Sequence, residues 1–405
     1  MTTRIVMIVF SYYPADPRPR REAEALIEAG FEVDMICLRN RGEATNEVVH
    51  GVQVHRLPLE KLRGSKFRYL WEYFIFGLMA CVKLTGLYFR KRHDIVHVHN
   101  MPDYLVFTSI VPRLLGARII LDLHDPTPEV FMAKYGIADD HFLVKVLRYL
   151  EKISIAFSHQ VITPNLAFKK KFISRGCGGG KIQIIMNSPD EKIFHPWPSV
   201  SKGVTFDLMY HGTIVERHGL DVALHAVDRL RDKIPGLKFH VYGDGDYVHR
   251  FLELRHELSL EEIVDYHGPA TLESIAEALH HADLGIVPNK RSCFTEINMP
   301  TRIFECLSMR VPVIAPRLPG ILDYFKEEDL FFFTPENDKD LARVILRIYE
   351  NPWICEKVLQ SGIRVYEAHA WNDEKRRLIG LAHSLVNKSS EATIWCERHG
   401  FKGND

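Results

Sequence analysis

Along the first half of the chain, short continuous apolar runs alternate with longer stretches whose apolar positions recur every three or four residues. The runs 4–10, 31–38, 52–57, 95–99, 118–123, 160–163 and 182–186 read as strands. The stretches 18–29, 103–115 and 141–157 read as helices, with Gly30 and Gly116 in the usual C-terminal position of the first two. Gly176 to Gly180 reads as a flexible turn. A Pro/Ser-rich break, HPWPSVSKG at 195–203, reads as a linker, and the same alternation then restarts. Strands are expected at 206–210, 238–242, 263–267, 284–287 and 311–315. Helices are expected at 219–233, 247–258, 271–281, 301–309 and 338–350, then a terminal helix over 372–387 and a polar tail. Alternating strands and helices predict parallel sheets with helices on both faces. The expected fold class is therefore α/β, with Rossmann-like βαβ domains at 1–195 and 204–370. Residues 371–405 form a C-terminal helix and tail, the helix packing back toward the first domain. Two such domains offer binding crevices at the C-terminal ends of their sheets.

One stretch departs from this pattern. Residues 69–89, YLWEYFIFGLMACVKLTGLYF, are dense in aromatic and aliphatic side chains yet contain Glu72 and Lys83. Lys61, Arg63, Lys66 and Arg68 precede it, and Arg90, Lys91 and Arg92 follow. An internal acid and base weigh against a spanning helix, which needs about 20 nearly uncharged residues. Two readings stand: one or two helices buried against a sheet, or an interfacial surface whose aromatics and cations suit anionic headgroups. One helix can serve both, packing by one face and touching lipid by the other.

The 405 residues fit two or three domains at about 150 residues each. Lys+Arg and Asp+Glu balance at 52 each, so the chain as a whole has no attraction for nucleic acid, and any anion site must be local. Seven cysteines include no C-x-x-C pair, which argues against a structural zinc and a disulfide framework. Reduced thiols in a cytoplasmic protein are expected, and the strand-like start at Ile5 argues against a secretory signal.

The strongest chemical pattern is NMPTRIFECLSMRVPVIA at 298–315. Pro300 suits a helix start, Thr301 adds a hydroxyl, and the free N–H groups of that first turn make an anion site. Arg302 shares the turn, and Glu305 lies one turn on along the same face, where it can accept hydrogen bonds from ribose hydroxyls. Taken alone, the pattern also fits an ordinary helix start with a capping acid. A second element runs from Tyr210 to Asp221: a strand ending at Gly212, a polar loop with Arg217 and His218, and a helix from Gly219. An arginine here clamps a diphosphate better than a lysine, because its fork fits two oxygens. Val241-Tyr-Gly-Asp-Gly245 adds a turn in which Gly243 lets backbone approach a ligand.

These elements in this order resemble the donor-binding domain of the family 4 retaining glycosyltransferases, which have the GT-B fold. The resemblance rests on the strand, glycine and basic loop at 209–219, the Gly-Asp-Gly turn, His267-Gly268, Ala282-Asp283, and the Pro-Thr-Arg-x-x-Glu run at 300–305. In the first domain it rests on Tyr13-Pro-Ala-Asp-Pro-Arg18, His97-Val-His-Asn-Met-Pro-Asp103 and Leu121-Asp-Leu-His-Asp125. It implies two Rossmann-like domains facing each other across a donor cleft. It also implies retaining transfer from a nucleotide-diphosphate sugar to a glycan or lipid-linked acceptor in cell-envelope or exopolysaccharide synthesis, with no obligatory cofactor and no metal.

The resemblance assigns catalytic roles to His124, Arg217 and Glu305. It places Gly212, Thr213, His218, Gly243, His267, Gly268, Pro300, Thr301 and Arg302 around the donor. Asp16, Arg18, Arg20, His99, Asn100, Asp103 and Asp125 become acceptor-side candidates, although turn and capping roles suit them as well. Two positions depart from the family. Thr213 and His218 stand where an arginine and a lysine are usual, which leaves the phosphate charge to Arg217. Ile297, with Glu296 beside it, stands where the first of two glutamates is usual. Two rivals stay in view: a non-catalytic sugar-nucleotide or glycan-binding subunit, suggested by that loss, and another enzyme on the same fold, a sugar-nucleotide epimerase or a phosphorylase, which the Pro-Thr-Arg and Glu305 arrangement disfavours. The basic and aromatic segment 61–92 suggests peripheral contact at the inner face of a membrane.

Overall fold

The computed structural model describes residues 2–60, 66–198 and 204–386, with backbone alone at 66–70. The Lys61 and Arg63 cluster, most of the expected linker and the polar tail lie outside the described residues. The chain divides into two compact units, residues 1–186 with 374–405, and 187–373.

In the first unit, strands and helices follow in the order β1 (Arg4–Tyr12), α1 (Pro17–Glu28), β2 (Glu32–Leu38), β3 (Asn46–Val49), β4 (Val52–Leu57), α2 (Lys66–Arg90) and β5 (Ile95–His99). Then come α3 (Ile110–Leu114), β6 (Arg118–Asp122), α4 (Thr127–Tyr135), α5 (Phe142–Phe157), β7 (Gln160–Thr163), α6 (Leu166–Ser174) and β8 (Ile182–Ile184). The sheet order is β3-β4-β2-β1-β5-β6-β7-β8, parallel except for the β3–β4 pair. Strand order reverses direction between β1 and β5, so the loops after these two strands open a crevice at their C-terminal ends.

The second unit holds β9 (Phe206–His211), α7 (Leu220–Asp228), β10 (Leu237–Tyr242), α8 (Val248–Glu257), β11 (Val264–Gly268), α9 (Leu272–His281) and β12 (Leu284–Ile286). It continues with α10 (Thr301–Ser308), β13 (Val313–Pro316), α11 (Pro319–Leu322), β14 (Phe331–Phe333), α12 (Asp338–Glu350) and α13 (Trp353–Glu367). Its parallel sheet runs β11-β10-β9-β12-β13-β14, reversing between β9 and β12. Buried residues of β9 and β10 (Leu208, Phe239, Val241) meet those of α7 and α12 (Leu224, Leu341, Ile345) in one core. The last helix, α14 (Trp371–Val386), returns to the first unit from Glu374 onward.

Several expectations are corrected. The expected helix over 103–115 is a 3-10 turn at Asp103–Ser109 followed by α3. Pro112 is the cause: it lacks an N–H, and its ring clashes with the carbonyl four residues earlier. The helix expected to Lys233 ends at Asp228. The boundary falls after Met186, not at the Pro/Ser break, because Asn187 donates to Thr301 Oγ1 at 3.0 Å and Ser188 bonds the His369 carbonyl. On the other side of the boundary, the Met186 N–H donates to Glu374 Oε2 at 2.9 Å, tying α14 to β8. Helices α4 and α6 were not anticipated, though both carry signals. Gly136 ends α4 in the left-handed region, and Asn165 caps α6 by accepting from the Phe168 N–H at 2.7 Å.

The apolar segment is a single helix. Glu72, Phe76, Ala80, Leu84 and Tyr88, each four residues apart, are buried, and Phe76 meets the Phe10 ring at 5.1 Å. Trp71, Phe74, Leu78, Val82 and Phe89 are exposed. The reading as wholly buried helices is therefore replaced by a helix packed along one stripe and open along the other. By length and composition alone, Trp71–Arg90 is long and apolar enough to cross a membrane.

Candidate active site

In the first unit, the chemistry gathers where β5 and β6 end. His97 and His99 alternate along β5 and therefore share one face; His99 lies opposite Asp122 in register. Arg18 and Glu22, one helical turn apart on α1, are buried against them. Arg18 grips Asp122 with two bonds, Nε to Oδ2 at 2.7 Å and Nη2 to Oδ1 at 2.9 Å. His99 Nδ1 lies 3.0 Å from the same Asp122 oxygen, and His124 Nδ1 lies 3.6 Å from it. Burial by itself would raise the Asp122 carboxyl. The Arg18 charge and the contacts with His124 and His99 more than offset it, holding Asp122 well below the usual carboxylate range. Burial likewise depresses His124, but its contact with Asp122 wins and raises it above an ordinary histidine. His97, buried beside His99, is driven well below the ordinary value.

Glu22, His97, His99 and Asp122 offer potential metal-ligating atoms within 4.8 Å of one another. Arg18 already sits 3.2 Å from Glu22 and 2.7 Å from Asp122 as a permanent cation, which disfavours a second positive charge there. The cluster fits a scaffold better than a metal centre.

Asn100 organises the next loop. Its Oδ1 accepts from the His124 N–H at 3.2 Å, and its Nδ2 donates to Asp103 Oδ1 at 2.9 Å. Thr127 Oγ1 also donates to Asp103 Oδ1, at 2.7 Å. Arg18, His99, Asn100 and Asp103 are thus buried, the first two bonded to Asp122 and Asn100 to Asp103, which favours a bracing role over acceptor contact, although His99 Nε2 is left without a hydrogen-bond partner. They hold up the groups that remain reachable. His124 keeps 24% of its side chain exposed, and Asp16 and Asp125 are half-buried. Arg20 is half-buried with Nε on Glu24 at 2.9 Å. Asp122, the hub of the cluster, was noted in the sequence only as a neighbour of His124. The arginine that completes it lies 104 residues away, too far for any local pattern to show.

In the second unit, the loops after β9, β10 and β11 are laced by backbone hydrogen bonds: Gly212 N–H to Tyr242 O at 3.0 Å, Gly243 N–H to Gly268 O at 2.7 Å, Ile214 N–H to Asp244 O at 2.9 Å. Gly243 has φ +140°, and a Cβ there would lie 1.9 Å from the Gly212 carbonyl oxygen, so only glycine fits. At Gly212 a Cβ would stand 3.2 Å from Arg302 Nη2, so the bare backbone makes room for the guanidinium. The Arg302 guanidinium lies 4.6 Å over the Tyr210 ring, and its Nη1 is buried without a hydrogen-bond partner. Glu305, one turn further along α10, meets His211 Nε2 at 2.7 Å. The strand end of β9 thereby fixes the carboxylate.

His218 is buried and held by its Nδ1, 2.7 Å from the Thr213 carbonyl, which also accepts from the Tyr210 hydroxyl at 2.7 Å. Burial, reinforced by the Arg302 charge, pushes the imidazole down to about 3, so it is neutral at physiological pH. It cannot supply the charge of the usual lysine. At the β9–β12 crossover, the Lys290 N–H donates to Arg217 O at 3.0 Å, and Lys290 Nζ pairs with Asp221 at 2.6 Å. Lys290 was missed by the sequence reading, and Tyr210 and His211 entered it only as the strand end of the second element. Arg217 lies with its guanidinium 5.5 Å from the centre of the Phe294 ring. Pro300 is buried at the cap of α10, ahead of Thr301. His267 stacks on Tyr242 at 4.2 Å and reaches His240 at 3.1 Å. Its neighbour Gly268 braces Gly243 through its carbonyl. Ile297 is half-buried, and the Glu296 carboxylate is held by Arg291 at 2.7 Å.

Comparison with known proteins identifies the family of both halves of the chain. Residues 205–351 match the family model described as glycosyl transferases group 1, and residues 15–188 match the glycosyl transferase 4-like domain. Escherichia coli WcaL, named for glycosyl transfer in colanic acid biosynthesis, is 23% identical over 164 residues, 40% of each chain. The phosphatidylinositol N-acetylglucosaminyltransferase gpi3 subunit of Schizosaccharomyces pombe is 19% identical over 91% of this chain and 77% of its own. Among solved structures, sucrose-phosphate synthase from Thermosynechococcus elongatus superposes with a TM-score of 0.78 at 19% identity, covering 96% of this chain and 100% of that one. Matched in both halves and sharing the fold, the chain belongs to the group 1 glycosyltransferases of the GT-B type.

Proposed function

We propose that this chain transfers a sugar, with retention, from a nucleoside-diphosphate donor to a glycan or lipid-linked acceptor in cell-envelope or exopolysaccharide synthesis. The observation that carries the reading is Arg302: fixed over Tyr210 at the start of α10, with a buried Nη1 that has no partner among the described residues. A diphosphate oxygen supplies that partner. Arg302, Arg217 and the free N–H groups of the α10 first turn then stabilise the departing diphosphate, so the charge needs no metal. Glu305, oriented by His211, receives the ribose hydroxyls. His124 serves the donor sugar or the reacting centre from the first unit, with Asp16, Arg20 and Asp125 on the acceptor side.

The acceptor reading includes peripheral contact with the inner face of an anionic membrane through 61–92, by a cytoplasmic protein. Trp71, Phe74, Leu78, Val82 and Phe89 support it, because such side chains gain about 1.5–3 kcal/mol each when fully buried. Arg90 and Arg92 are exposed beside them.

A binding-only reading is favoured by one observation, the tie of Glu296 to Arg291 beside Ile297, which leaves no carboxylate at the usual place. One experiment separates the readings: thermal unfolding with UDP-, GDP-, ADP- and TDP-linked sugars, for wild type and Glu305→Gln, followed by assay of donor hydrolysis. A bound donor at 100-fold its Kd adds about 2.7 kcal/mol. Stabilisation by one nucleotide series, lost in the variant and accompanied by hydrolysis, supports the enzyme. Stabilisation without turnover supports the binding subunit, and no stabilisation overturns both.

A further inference from the structure

A polar cavity lies at the opposite end of the first sheet from His124. Residues 92–94, 116–117 and His159 directly precede β5, β6 and β7, and Arg118 opens β6, so they mark the N-terminal ends of these parallel strands. The cavity they line measures about 350 Å³. Arg92, Arg113 and Arg118 line it together with Asp94, the only acid of the lining, and Asp94 already accepts the Arg4 N–H at 2.8 Å. Arg113 donates to the Phe157 carbonyl at 2.9 Å, which orients it. The guanidinium groups of Arg92 and Arg118 have no hydrogen-bond or ion-pair partner among the described residues. His159 Nδ1 accepts from the Ile119 N–H at 2.9 Å, so a neutral ring carries its proton on Nε2. Burial first, and after it the nearby charges of Arg118, Arg113 and Lys181, depress this histidine.

The pocket adjoins the apolar surface. Tyr88 at the end of α2 lines it and bonds the Leu115 carbonyl at 3.1 Å, while Phe89 and Leu114 beside them are strongly exposed. The open stripe of α2 therefore runs to the mouth of a cavity with three arginines. We propose that this cavity binds the phosphate of an anionic phospholipid headgroup while α2 rests on the same bilayer. Guanidinium forks suit phosphate oxygens, and the exposed side chains suit the acyl boundary next to them. The assignment rests on the membrane reading above and adds a headgroup site remote from the transfer chemistry.

The test is vesicle cosedimentation with phosphatidylcholine alone and with added phosphatidylglycerol, together with NMR titration of the His159 ring. Wild type is expected to bind phosphatidylglycerol vesicles at least about tenfold better than neutral ones. Arg92→Gln/Arg118→Gln removes no side-chain hydrogen bond or ion pair among the described residues; it should abolish that increment while keeping the weak binding to phosphatidylcholine. Phe74→Ser/Leu78→Ser/Val82→Ser should lose both. Inorganic phosphate should raise the His159 pKa in wild type and not in the arginine variant, since a merely structural arginine pair gives no such response. An increment that survives the arginine changes overturns the headgroup site while leaving the membrane reading intact. If no vesicle binds wild type, yet phosphate still moves His159, the membrane reading fails and the pocket is a site for free phosphate. A His159 that ignores phosphate overturns the pocket altogether.

Discussion

Arg18 and Asp122 form a buried two-bond pair, at 2.7 and 2.9 Å, and both histidines at the end of the first sheet hang from its carboxylate. The Asp122 charge raises His124, so the pair sets the protonation of the most exposed member of the cluster.

Asp122→Asn leaves Arg18 with only Glu22 at ion-pair distance. Removing one partner of a buried pair costs about 3–5 kcal/mol, and the remaining Glu22 places the expected loss at the lower end. Urea unfolding measures it. The His124 pKa should fall below its wild-type value, followed by its ring proton in an NMR titration. An unchanged titration would show that Asp122 does not control His124.

The pH dependence of the second unit is expected to carry the imprint of His218. Its folded pKa of about 3 lies below the ordinary value of about 6.5, so the unfolded chain binds the proton more readily. Stability should therefore be complete above about 6.5 and decline as pH falls toward 3, by up to about 1.4 kcal/mol per pH unit from this group. In His218→Asn the amide can still donate to the Thr213 carbonyl but cannot titrate. The acid-side slope of the unfolding free energy should flatten in that variant; an unaltered slope would assign it to other groups.

Gly243→Ala places a methyl group 1.9 Å from the Gly212 carbonyl oxygen at a φ of +140°. The two loops must separate, and Gly212 is the residue that makes room for Arg302. We expect a loss of several kcal/mol in stability or, if the loops move and the fold survives, at least about tenfold weaker nucleotide binding. Calorimetry of unfolding and of nucleotide titration reads both. Normal values in both would show that the glycine contact is dispensable.

Much of this was legible in the sequence, for reasons particular to each element. Arg302 and Glu305 could be read as a pair on one helix face because their spacing is local: one helical turn fixes it. Gly243 was found as a turn residue, but only the crossing of two loops shows why no side chain fits there. The α2 stripe was ambiguous because its apolar density is the same on both faces. What decides it is which face meets Phe10, a residue on a strand that the chain places about 65 residues earlier.

By itself, the sequence determined two alternating α/β units, the helix start at α10 and the charged residues near each strand end. These follow from periodicity, caps and turns, which act over a few residues. Only the tertiary structure decided which charges are spent and which are free. Arg18, His99, Asn100 and Asp103 are tied into a buried network with Asp122, whereas the guanidinium groups of Arg92 and Arg118 line a cavity with no partner among the described residues. The physical reason is that desolvation and pairing depend on neighbours brought together by strand order, and no local pattern encodes them.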